Sequence, residues 1–167
     1  MRFGKLAGYV ASAFLASLAN AGEMPKEGRM DFDHCMTGKF VDIVATPQLQ
    51  AGYIHENYAS TISNPPGGPF DKLGAHCAPI YLRRGSEMTV NGYCRYTDGD
   101  GDTWVMSFVD RIGPDHVEGT FELTVGTGKY EGAAIRGTFT PANGIPPAAQ
   151  PGVFQRCTRV VGTYRLQ

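Results

Sequence analysis

Glycine and proline interrupt this chain so often that no long helix fits between them. There are 22 glycines and 11 prolines in 167 residues, and both residues are costly in helix interiors. Beyond residue 21 no window of eleven or more residues carries apolar side chains at i, i+3, i+4 and i+7. What the punctuation leaves is a series of β-rich or alternating segments at residues 36–44, 51–58, 76–83, 87–97, 102–110, 117–125, 133–140 and 157–166. These eight segments predict an all-β domain with short connections. With 42% hydrophobic and 19% charged residues, the chain has the composition of a folded domain with a core.

The first 21 residues differ in kind. Arg2 and Lys5 precede an uncharged apolar run over residues 6–18, and Ala19-Asn20-Ala21 forms a small-x-small site before Gly22. That pattern predicts a secretory signal peptide cleaved after Ala21. The run is too short for the roughly 20 residues that a membrane span needs. The expected organisation is a signal over 1–21, an N-terminal extension over 22–35 and a β domain over 36–167. A secreted or periplasmic product without a membrane anchor follows. Net charge is −1, and Arg83-Arg84 is the densest basic cluster. Nucleic acid is therefore not an expected partner.

Cys35, Cys77, Cys94 and Cys157 make an even set in an exported chain, which reads as two disulfides. Metal ligation is the rival reading, but there is no CxxC pair, and the adjacent His34-Cys35 and His76-Cys77 are poor geometry for one metal ion. Four cysteines allow three connectivities, and spacing alone does not choose among them. A hairpin with its tip at 98–102 sets Tyr96 opposite Trp104 and Cys94 opposite Met106. That register permits Cys77–Cys94, and Cys35–Cys157 would then tie the ends of a closed sheet.

Few motifs carry chemistry. Asp98-Gly99-Asp100-Gly101-Asp102 starts like a calcium loop, but Thr103 stands where glycine is needed and Val109 where a bidentate glutamate belongs. Asp98, Asp100 and Asp102 remain a weak calcium candidate beside the plainer reading of a solvated turn. Gly126-Thr127-Gly128-Lys129-Tyr130 is no phosphate loop, since Tyr130 follows the lysine and Leu123 replaces the leading glycine. No G-x-S-x-G nucleophile is present. In residues 52–58, either His55 or Glu56 is expected to face the interior, where a buried ionisable group would be a candidate acid or base. Residues 63–70 and 141–152 are too rich in proline for central strands, and the second is long enough to cover a binding mouth.

Taken in order, Pro66-Gly67-Gly68-Pro69-Phe70, His76-Cys77, Gly92-Tyr93-Cys94, Tyr96-Thr97-Asp98-x-Asp100-Gly101-Asp102 and Gly126-Thr127-Gly128-Lys129-Tyr130-x-Gly132 resemble a group of small exported bacterial proteins. That group is similar to the allene oxide cyclase and dirigent-like barrels. The resemblance covers residues 60–166 and departs at Ile135, where another glycine is expected. It implies a single eight-stranded antiparallel barrel that binds an apolar small molecule and steers cyclisation or coupling, often as a homo-oligomer and without a cofactor. No catalytic residue of the superfamily maps onto these motifs.

The leading expectation is an exported barrel binding a small, partly apolar molecule, with cofactor-free cyclisation or isomerisation as its sharper form. Tyr81, Tyr96, Trp104, Met106 and Phe108 are the expected pocket residues, with His55 or Glu56 as the polar group. The alternative is a non-catalytic interaction or structural protein whose barrel is packed solid. A ligand-sized void separates the two.

Overall fold

The structure, a computed structural model, describes residues 24–142 and 153–167. Eight strands follow one another: β1 (Glu27–Ala45), β2 (Leu49–Ser63), β3 (Gly74–Arg84), β4 (Glu87–Thr97), β5 (Thr103–Ile112), β6 (Val117–Gly126), β7 (Ala134–Pro141) and β8 (Val153–Arg165). Each pairs antiparallel with the next, and β1 pairs with β8 from Glu27↔Arg165 to Lys39↔Val153, so the sheet closes on itself. A closed sheet leaves no edge to template further pairing. The signal segment expected over 1–21 lies outside the described residues, as do residues 143–152 of the second proline-rich loop.

Period-two alternation builds the interior. Along β3, Ala75, Cys77, Pro79 and Tyr81 are buried while their neighbours face outward. Pro79 sits opposite Gly92, where a Cβ would lie 2.8 Å from the proline Cα, so glycine keeps that pair close.

The N-terminal extension expected over 22–35 is largely strand instead. Met30, Phe32 and His34 point inward while Asp31 and Asp33 point outward, and Arg159 of β8 donates two hydrogen bonds to Asp31 at 2.9 and 2.7 Å. Asp31 and Asp33 thus belong to the polar face of a half-buried strand.

The two disulfides are Cys35–Cys157 and Cys77–Cys94. Both join residues directly opposite in the ladder. The second lies inside the ring at 4% and 2% exposure.

One half of the ring is packed solid. Tyr96 and Trp104 are fully buried and stack at 4.3 Å between ring centroids. Phe70, from the loop after β2, enters this end and meets Tyr164 at 5.1 Å and Trp104 at 5.8 Å. A single 3₁₀ turn at Gly128–Tyr130 adds Tyr130 to the same cluster. The loop carrying Phe70 is held by its own bonds. Asp71 accepts from the amides of Ser63 and Gly67, and the buried Thr61 hydroxyl donates to the Phe70 carbonyl at 2.6 Å.

Candidate functional site: a half-filled barrel

Past the aromatic half the interior opens into a cavity of about 350 Å³, large enough for a small organic molecule. Met36, Ile54, Val90, Met106, Phe108 and Phe139 are among its apolar walls. It runs toward the end of the ring where Phe40 and Gln155 are exposed.

His34, Asn57, Asp110, Arg156 and Thr158 make the rest of the lining polar. His34, Asn57, Asp110 and Thr158 are 1%, 2%, 7% and 1% exposed. His34 Nε2, Asn57 Oδ1, Asp110 Oδ1, Arg156 Nη2 and Thr158 Oγ1 are all buried with no hydrogen-bond partner among the described residues. Buried polar atoms are nearly always paired, so five unpaired ones on residues lining one cavity need a reason.

Four strands, β1, β2, β5 and β8, carry this group, and one glycine makes room for it. His34 follows Met30 and Phe32 on the inner face of β1, and its Nδ1 lies 3.0 Å from the Tyr96 hydroxyl. Asp110 lies opposite Gly119, where a Cβ would fall 2.0 Å from Asp110 Oδ1. Glycine at 119 is therefore what leaves room for the carboxylate. Asn57 turns inward because β2 is irregular between Tyr53 and Asn57. Ile54 and Asn57, three residues apart, are both buried.

Arg156 Nη2 lies 3.9 Å from Asp110 Oδ2, an ion pair too long to be a hydrogen bond. Burial raises Asp110 to about 6, against the pull of Arg156. Burial, aided by Arg156, lowers His34 to about 4, so the imidazole is neutral at pH 7. Burial also lowers Arg156 and raises Tyr96, each helped or opposed by Asp110. The site thus holds one cation, one carboxylate that titrates near neutrality and one neutral imidazole, all beside apolar walls. Groups of this kind can bind a polar head or move a proton.

Of the residues expected from sequence, Met106 and Phe108 line the cavity. Tyr96 and Trp104 do not; they fill the closed half, because ring stacking there leaves no space. Tyr81 packs against the cavity-wall residues Ile54 and Val90 without lining the cavity itself, its hydroxyl donating to Asp42. Burial and Asp42 raise that phenol to about 12. His55 is exposed on the outer face and is no interior acid or base. The side chain of Glu56 lies outside the described residues.

A lysine sits at the acidic tip proposed as a calcium candidate. Lys129 Nζ lies 2.8 Å from Asp98 and 2.7 Å from Asp100, while Asp102 accepts from the Lys129 amide at 3.1 Å. Asp100 and Asp98 raise the ammonium above its ordinary value. Among the described residues no three histidine, cysteine or carboxylate side chains converge to hold a metal ion. No described helix is long and apolar enough to cross a membrane.

Sequence reasoning missed His34, Asn57, Asp110, Arg156 and Thr158. For His34 the signal was present, as a polar residue in step with Met30 and Phe32. Fold and site together define an all-β closed ring, half packed and half hollow, with a polar group buried in the hollow. The sequence matches no protein-family model and no curated protein.

Proposed function

We propose that this chain is an exported barrel of the allene oxide cyclase and dirigent-like kind, binding a small, partly apolar molecule in the hollow half of its interior. One observation carries the reading: five buried polar atoms without partners belong to residues that line a largely apolar cavity. Water or a ligand must complete them, and the shape and apolar walls favour a ligand. The two disulfides support an oxidising compartment. A solid barrel acting as a structural protein is the weaker reading, because only one half is filled.

The cavity also supports the sharper form, a cofactor-free isomerisation or cyclisation. Apolar walls hold one conformer away from water, and Asp110, titrating near neutrality, is the group that moves a proton. The role expected of His55 thus passes to Asp110.

Thermal melting with small aromatic and alicyclic compounds tests the binding reading. At least one class is expected to raise the melting temperature of the parent protein. Val90→Phe, which fills the cavity from its β4 wall, should abolish that rise. No rise with any class, or equal rises in parent and variant, would refute interior binding.

A further inference from the structure

The next inference rests on interior binding as proposed above, and concerns the chemistry of the ligand's buried end. The unpartnered atoms form a matched set. Asn57 Oδ1 and Asp110 Oδ1 accept hydrogen bonds, and Arg156 Nη2 donates one. His34 Nε2 is assigned by its neighbour. The Tyr96 hydroxyl is fully buried with His34 Nδ1 3.0 Å away, and donating there is what pairs that buried O–H. A neutral imidazole that accepts at Nδ1 carries its hydrogen on Nε2, so Nε2 is a donor. Thr158 Oγ1 can do either.

The charges match as well. Arg156 is positive, and Asp110 is its counter-charge at 3.9 Å. An anionic head would meet Arg156 but be repelled by Asp110, and a cationic head would meet the reverse. A hydrocarbon that displaced the water would leave all five atoms unpaired, a costly outcome in a buried site.

We infer that the ligand's buried head is uncharged and both donates and accepts, as a primary carboxamide does. Its carbonyl oxygen accepts from Arg156 and His34, its NH₂ donates to Asp110 and Asn57, and its apolar body lies against Met106, Phe108 and Phe139. Thr158 takes whichever position is left.

Four probes sharing one ring test this by titration calorimetry at pH 7.5: cyclohexanecarboxamide, cyclohexanecarboxylate, cyclohexylmethylammonium and methylcyclohexane. The carboxamide is expected to bind about tenfold or more tighter than each of the others. In Asp110→Asn the acceptor charge is gone and Arg156 is uncompensated. Preference should then swing at least tenfold toward the carboxylate. If that variant fails to fold, Asn57→Leu serves, and should cut the carboxamide's advantage over methylcyclohexane. A charged probe binding the parent as tightly as the carboxamide would overturn the inference, as would an unchanged order in a folded variant. Methylcyclohexane binding equally well would overturn it too, yet leave interior binding standing. If none of the four binds, and none displaces an apolar fluorophore, interior binding itself fails.

Discussion

His34 and Asp110 face the same cavity and pull stability in opposite directions with pH. His34 is neutral in the folded protein down to about 4, whereas an ordinary imidazole gains its proton near 6.5. Between those values the unfolded chain binds more protons, so this group makes stability rise with pH and fall on acidification. Asp110 keeps its proton up to about 6 when folded but loses it near 3.8 when unfolded. There the folded chain binds more protons, so this group makes stability fall as pH rises. The windows overlap, and each effect is about 3 kcal/mol at most. Urea unfolding of the parent should therefore be nearly level between pH 4 and 6.5. His34→Gln should unmask a decline as pH rises from 4 to 6, and Asp110→Asn a rise up to 6.5. If both variants retain the parental profile, neither group has the buried environment assigned to it.

At the scale of elements, the loop between β2 and β3 decides which half of the ring is solid. Its Phe70 is 4% exposed with φ of 65°, a left-handed conformation unusual for an aromatic residue. Packing against Trp104 and Tyr164, together with the Asp71 and Thr61 bonds, holds it there. Phe70→Ala should cost about 3–5 kcal/mol in denaturant unfolding, as for large-to-small changes in a core. A loss below about 1 kcal/mol would mean that the loop lies over the barrel end without plugging it. The proline content of this loop was legible in the sequence; its role as a plug was not, because a loop's packing depends on what lies beneath it. The same limit hid Asn57. Strict alternation predicts inward residues two apart, and the irregularity in β2 separates Ile54 from Asn57 by three.

The whole molecule depends on closure between its first and last strands. Cys35–Cys157 spans 122 residues, against 17 for Cys77–Cys94, so the outer bridge removes far more freedom from the unfolded chain. The chain-entropy relation assigns a loop of that length about 4–5 kcal/mol. Replacing both outer cysteines by serine should cost that much stability while probes still bind in the cavity, which lies on the other side of the sheet. A loss under about 1 kcal/mol would leave closure to the β1–β8 hydrogen bonds alone. Loss of probe binding in a folded variant would show that the bridge also shapes the interior.

Glycine and proline spacing, alternation and the even cysteine count determined an all-β chain of eight strands, the hairpin register that pairs Tyr96 with Trp104, and the presence of two disulfides. These are local properties, set by backbone sterics and by which face of a strand is apolar. What only the tertiary structure decided is where along the barrel axis each inward residue falls. Alternation assigns a residue to the inside without giving its height, so Trp104 and Met106 look alike in sequence yet one is in the packed half and the other lines the hollow. Height is set by strand stagger, by the irregularity in β2 and by the entry of Phe70, all of them relations between distant parts of the chain. Those relations bring His34, Asn57, Asp110, Arg156 and Thr158 from four strands around one cavity, and no spacing in the sequence could have announced that meeting.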